Sequence, residues 1–278
     1  MKPAFQKDEK LLADIHSGRH LSTGFRLWWL GQSGFLIQWQ GKHLLIDPYL
    51  SDSLTKKYAQ TDKPHVRLTE RVIDPLRLDF MDVITSSHNH TDHLDGETLI
   101  PLLKVNPSAK LVIPEANRPF VVNRLLTDFD FPIGIVAGQS VDIAGFQLTA
   151  IPSAHEELET DAEGRNIYLG YVISFGEWTI YHSGDTVMYA GLEEYLNTYS
   201  PDILLLPING RSPERKVAGN LNAAEAAFLG KSVSARWVIP CHYDMFEFNT
   251  ADPQDFVKEA GKIGLPFKIL KNGERADF

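Results

Sequence analysis

The chain has 278 residues, 43% apolar and 23% charged, the balance of a globular protein with a large core. A formal charge of −9 speaks against nucleic acid, whose phosphates need a basic stripe, but leaves room for a small anionic substrate held by local arginines. One cysteine, Cys241, excludes a disulfide framework and a multi-cysteine metal site, and no signal-peptide layout or run of roughly 18 apolar residues is present, so a cytoplasmic protein without membrane contact is expected.

In chain order, GFLIQWQGKHLLIDP reads as a β-hairpin ending at Asp47. The run from Ser51 to Leu78 is polar, with little strand pattern, and reads as an irregular excursion serving as a lid over an active site. A strand, MDVITSS, then enters SSHNHTDHLD, which carries His88, His90, Asp92 and His93. DGETLIPLLKVN predicts a helix with Asp95 as N-cap, and NRPFVVNRLLTD a second helix, on either side of the strand SAKLVIP. FQLTAIPSA leads to His155, and the hairpin GYVISFGEWTIYHSGD leads through His182 to Asp185. The strand in DILLLPING precedes a basic loop, NGRSPERK, with Arg211 and Arg215. NLNAAEAAFLGKSV predicts a helix in which Asn222 and Glu225 cap reciprocally. The strand ARWVIPC delivers His242, and DPQDFVKEAGKIG closes the chain as a helix with Gly264 past its end.

Strands and helices interleave throughout, which indicates one layered α/β domain over residues 1–278. The strands also repeat. The two hairpins match in shape, DVITSSHNHTDH answers DILLLPING, and SAKLVIP answers SARWVIP, all in the same order. Two copies of one β-rich unit facing each other produce this pattern, although any two buried strands share some likeness.

Three imidazoles and a carboxylate on one loop are seldom needed for packing, so HNHTDH predicts metal binding. Taken alone, His155 at a strand end is more often structural, and Asp185 in HSGDT can merely cap a turn. With the HNHTDH loop, however, His155, Asp185 and His242 each follow a strand, and ligands beyond strand ends converge on one sheet edge. Seven imidazole and carboxylate donors without thiolate suit zinc, manganese or iron, and are too many for one tetrahedral ion. His182 fits either strand packing or support of the ligands. His16, His20, His43 and His65 carry no pattern and read as surface or structural residues. Cys241 should face away from His242, buried and inert.

HxHxDH after a strand, a lone histidine, an aspartate in a GD turn and a last histidine after a strand together resemble the metallo-β-lactamase superfamily over nearly the whole chain. The resemblance implies a four-layer αβ/βα sandwich with the metals at one edge. It implies His88, His90 and His155 as ligands of a first ion, and Asp92, His93 and His242 as ligands of a second. Asp185 would bridge both, and Asp47 in LLIDPYL would be the buried aspartate that orients ligand groups. WWLGQSGFLI, YHSGDT and VIPCHYDMFEFNTADPQDF further resemble the branch containing L-ascorbate-6-phosphate lactonases. SAHEEL, with His155, instead follows the general dinuclear pattern, which leaves the substrate open. Phospholipase D-type enzymes that release N-acylethanolamines share LGQSGF-like and IDP-like segments, but no apolar membrane-facing stretch supports a phospholipid substrate here.

The expected activity is hydrolysis by a hydroxide shared between two divalent ions, zinc or manganese, with Asp185 bridging and Asp92 orienting the nucleophile or carrying the proton. The expected substrate is a lactone of a phosphorylated or acidic sugar. Its anionic group would fall to Arg211, Arg215 or Arg71, each of which reads equally well as solvated charge. A phosphodiesterase uses the same metal core, and a non-catalytic metal- or ligand-binding protein is the alternative of a different class. The partner expected is a small molecule, and a homo-oligomer is compatible with this reading.

Overall fold

The computed structural model describes residues 1–18, 23–215 and 217–278, so His20 lies outside the described residues. Helix α1 (Asp8–Ser17) precedes a meander of three antiparallel strands, β1 (Arg26–Gly31), β2 (Gly34–Trp39) and β3 (Lys42–Ile46). A short helix, α2 (Ser53–Lys57), interrupts the polar excursion before β4 (Val83–Thr85). Then come α3 (Gly96–Val105), β5 (Lys110–Pro114), α4 (Arg118–Leu125) and β6 (Ile133–Ile135). A second meander follows, of β7 (Ser140–Ile143), β8 (Phe146–Pro152), β9 (Leu169–Phe175) and β10 (Trp178–His182). The chain ends with α5 (Leu192–Tyr199), β11 (Ile203–Pro207), α6 (Ala223–Ser232), β12 (Trp237–Cys241), α7 (Pro253–Lys262) and β13 (Arg275–Asp277).

The strands form two mixed sheets, in the orders β13-β1-β2-β3-β4-β5-β6 and β12-β11-β10-β9-β8-β7. Each sheet passes from antiparallel to parallel pairing at the strand that ends its hairpin, β3 in one and β10 in the other. The expected repeat is therefore present as topology, and it extends to single bonds. Asp82 before β4 accepts the His43 N–H at 2.9 Å, and Asp202 before β11 accepts the Thr179 N–H at 3.0 Å.

Alternation along β1 shows how the layers are built. Leu27 and Trp29 enter the core between the sheets with Phe35, Ile37, Tyr171 and Ile173. Trp28 and Leu30 face the other way, against Leu11 and Ile15 of α1 and Leu99 and Leu102 of α3. Helices α5, α6 and α7 add Leu192, Ala227 and Phe256 to the core of the second sheet. The result is the expected αβ/βα sandwich. The predicted helix starts also hold: Asp95 caps α3, and Asn222 and Glu225 form a reciprocal capping box on α6. No helix of the described residues is long and apolar enough to cross a membrane.

Candidate metal centre and active-site cavity

The carboxyl ends of β4, β8, β10 and β12 meet at one edge of the sandwich, and there the seven ligand-type residues converge. His88, His90 and His155 offer ligand atoms that all lie within 4.8 Å of one another, as do His88, His93 and Asp185, and Asp92, His93 and His242. Asp185 stands between these groups. Its Oδ1 is 3.3 Å from His93 Nε2, and its Oδ2 is 3.5 Å from His155 Nε2 and 3.4 Å from His242 Nε2. His88 Nε2, His93 Nε2 and Asp185 Oδ1 are buried with no hydrogen-bond partner among the described residues. Three potential ligand atoms aimed into one space without a hydrogen-bond partner are what a divalent cation satisfies on displacing any imidazole proton, and imidazole with carboxylate suits zinc or manganese.

Three of the imidazoles, those of His88, His93 and His155, are oriented from behind. Asp47 is fully buried at the end of β3. Its Oδ2 accepts from His93 Nδ1 at 2.7 Å, and its Oδ1 from the Ser87 N–H at 2.9 Å. Ser87 Oγ donates to the same carboxylate, so it is left to accept from His88 Nδ1 at 3.0 Å. One aspartate thus fixes the tautomers of two histidines and turns both Nε2 lone pairs forward. His155 Nδ1 donates to the Gly219 carbonyl at 2.8 Å, with the same result for its Nε2. Gly184, in the turn before Asp185, has φ +59° and lies so close that a Cβ would sit 2.8 Å from that of Ser87, so only glycine fits. His182 bonds the Ser33 carbonyl at 3.0 Å and the Gly184 N–H at 3.2 Å, and so ties the two hairpin ends together one turn behind Asp185.

The charges are mutually dependent. Burial opposes ionisation of Asp92 and Asp185, but His93, and His242 with it, outweigh burial and hold both carboxyls below their ordinary range. Burial also works against protonation of His242, yet Asp185 and Asp92 raise it to about 9. His90 is pushed down to about 4, by burial first and then by His155, and His88 is lowered by burial and by His93.

Five of the donors, His90, Asp92, His155, Asp185 and His242, line a cavity of about 430 Å³, and its wall corrects part of the sequence reading. Leu54, Lys57, Tyr58, Lys63 and His65 of the polar excursion line it, so His65, read as surface or structural, belongs to the cavity. His65 stacks on Tyr58 with ring centroids 4.4 Å apart. The three arginines expected at the substrate do not line the cavity. Arg71 is exposed outside it. Arg211 is satisfied by both oxygens of Glu225, the capping residue of α6, at 2.6 and 2.9 Å. Arg215 reaches it only indirectly, bonding the Asn209 carbonyl and the Asn249 side chain, and Asn249 does line the cavity. The cationic residues on the wall are instead Lys57, Lys63 and Arg124. Arg124 reads in the sequence as one more polar position of a helix, and only its tertiary placement gives it away.

Gln32 likewise carries no signal in the sequence. It is buried in the β1–β2 turn with φ +49°, and its Nε2 donates to Asp92 Oδ2 at 2.8 Å. Its backbone carbonyl accepts the His242 N–H at 3.0 Å. Asp47, Gln32 and His242 all adopt positive φ without being glycine, a conformation costing on the order of 1 kcal/mol each, and all three support or form the donor set. Tyr168 packs against the rings of His88, His90 and His155 at 5.2, 6.0 and 5.5 Å.

Comparison with known proteins agrees with this geometry. The family described as "Beta-lactamase superfamily domain" matches residues 26–242. A UPF0173 metal-dependent hydrolase from Methanosarcina barkeri is 30% identical over 261 residues, spanning 92% of this chain and 100% of that protein. Another, from Sulfurisphaera tokodaii, is 28% identical over 262 residues, spanning 91% and 99%. Among solved structures, a metallo hydrolase from the archaeon Ignicoccus hospitalis shares the fold, with a TM-score of 0.67 at 21% identity over 92% of this chain and 99% of that one. The chain therefore belongs to the beta-lactamase superfamily, and within it to the UPF0173 metal-dependent hydrolases.

Proposed function

We propose that this site holds two divalent cations, zinc or manganese, and hydrolyses a lactone of a small phosphorylated or acidic sugar in the cytoplasm. The observation that carries this reading is Asp185, whose two oxygens reach both donor sets on the floor of an open cavity. His88, His90 and His155 would hold one ion, Asp92, His93 and His242 the other, with Asp185 shared. The bound ions supply Lewis acidity and lower the pKa of water.

The chain's own groups divide the remaining work. Asp47 and the Gly219 carbonyl keep the imidazoles turned forward. Asp185 is buried, with 4% of its side chain exposed, and serves as a fixed ligand; Asp92, at 16%, reaches the cavity. Gln32 pins Asp92 Oδ2, which leaves Oδ1 to carry the proton to the leaving group. The excursion of residues 51–78 serves as a lid: its stretch from Leu54 to His65 walls the cavity and excludes water from the bond being cut.

Elemental analysis of the purified protein, with a panel of lactones and phosphodiesters offered to the zinc- and manganese-loaded forms, tests this. Two ions per chain and a preference for lactones are expected. His90→Ala should lower turnover by at least about 100-fold, the scale of a lost electrostatic or acid–base contribution. Preferred diester cleavage would reassign the reaction, and bound metal without turnover would favour a sensor. Absence of bound metal would sink all three.

A further inference from the structure

The chain carries a net charge of −9, yet the charged wall of its cavity is cationic. The carboxylates lining the cavity are Asp92 and Asp185, both in the donor set, while Lys57, Lys63 and Arg124 stand above them. Arg124 is the best defined. Its guanidinium lies 4.3 Å from the Phe120 ring, and its Nη1 donates to the carbonyls of Asn89 and Leu94 at 2.9 and 3.0 Å. Asn89 sits between His88 and His90, so this guanidinium is anchored one residue from two ligands of the first donor set. Its Nε and Nη2 have no acceptor, and no carboxylate pairs with it, among the described residues. A half-buried arginine in that state is incomplete, because its planar fork is built to receive an oxyanion on two donors. Lys57 lies on α2 with its ammonium 5.0 Å from the Tyr58 ring centroid, and no carboxylate pairs with it among the described residues. Leu54, Tyr58, Phe120 and Val217 supply apolar surface on the same wall.

We propose that Arg124 and Lys57 form an oxyanion subsite that binds a phosphate or carboxylate group of the substrate, at a distance from the bond cleaved on the metal floor. The substrate class is then a small molecule with a compact anionic end and an apolar or ring-shaped body. This rests on the metal-dependent reading above, but its test is separable from it, because neither residue is a metal ligand.

Inorganic phosphate is the probe, titrated calorimetrically into the full chain in metal-loaded and metal-stripped forms, with metal content measured in each. The stripped form removes direct binding of phosphate to the ions. In both forms, Arg124→Gln and Lys57→Gln should each weaken phosphate binding by about tenfold, the size of one charge-assisted contact, with metal content unchanged. Arg124→Lys should recover part of the loss. If Arg124→Gln disturbs the Asn89 loop and loses metal, Lys57→Gln decides alone, since Lys57 holds no part of the donor set. Unchanged affinity in Lys57→Gln overturns the subsite, as does a parent protein that binds phosphate only when metal is present. A parent protein without metal would sink the hydrolase reading, yet the stripped-form titration would still report on the subsite.

Discussion

At Asp47, one carboxylate orders two imidazoles, His93 directly and His88 through Ser87. Asp47→Ala removes the shorter-range acceptor of the His93 Nδ1–H, leaving it only Ser87 Oγ at 3.3 Å, and removes the acceptor of the Ser87 hydroxyl. Metal affinity should fall about 10- to 100-fold, which competition with a chelator measures, although every ligand is retained. A second effect concerns pH. In metal-free protein His242 is raised from 6.5 to about 9, and His93 is also raised. The folded chain then keeps protons that the unfolded chain releases, so this stabilisation is complete below about pH 6.5 and is lost as pH rises through 9. His88 and His90, shifted down, act below 6.5 and not in this window. Metal-stripped protein should therefore melt at progressively lower temperature from pH 6.5 to 9. Metal uptake at pH 7 should release protons into a weak buffer, because a ligating imidazole cannot keep one. The seven donors were legible as residues because imidazole and carboxylate clusters have few other uses. Asp47 was legible only through family likeness, and Gln32, Ser87 and Gly219 were not legible, because a single hydrogen bond to a neighbouring ligand leaves no periodic or compositional trace.

The polar excursion shows how an element is held without a regular core. Arg67, buried, donates to Asp52 at 2.7 Å, to the Ser51 carbonyl and to Met245 sulfur, and so closes the segment at its base. Backbone bonds from Leu68 to Met245 and from Glu247 to Val66 fasten it to the loop after His242. Above this clasp, Tyr58, His65, Phe246 and Phe248 pack as a small aromatic cluster. Arg67→Ala leaves the Ser51 carbonyl buried without a donor, a loss of about 1–3 kcal/mol. Limited proteolysis should then cut first within residues 53–65, while the sandwich stays intact. Equal protease resistance in parent and variant would show that the aromatic cluster and the backbone bonds hold the wall without Arg67. The sequence marked this stretch as irregular but not as anchored, since Arg67 and Met245 are far apart in the chain and meet only in the fold.

Across the whole molecule, duplication is what places four strand ends at one edge. Each half carries the same change from antiparallel to parallel pairing, and face-to-face packing of the halves brings loops from both onto the metal floor. This was readable because topology repeats as ordered strand pairs. The short edge strands β7 and β13 were not, because few residues and intermediate burial blur the alternation. The equivalent aspartates test whether the halves are energetically as well as geometrically alike. Asp82 accepts the His43 N–H and pairs with Lys42 at 2.9 Å, and Asp202 accepts the Thr179 N–H and pairs with Arg236 at 3.2 Å. Each removes an unpaired N–H at the start of a parallel crossover, while its partly exposed ion pair adds little. Asp82→Ala and Asp202→Ala should each cost about 1–2 kcal/mol in urea unfolding, nearly all of it from the lost backbone acceptor. The two sites lie on different sheets and share no partner, so the double variant should equal the sum within about 0.5 kcal/mol. A cost confined to one half would mean that the repeat survives as geometry after its energetics have diverged.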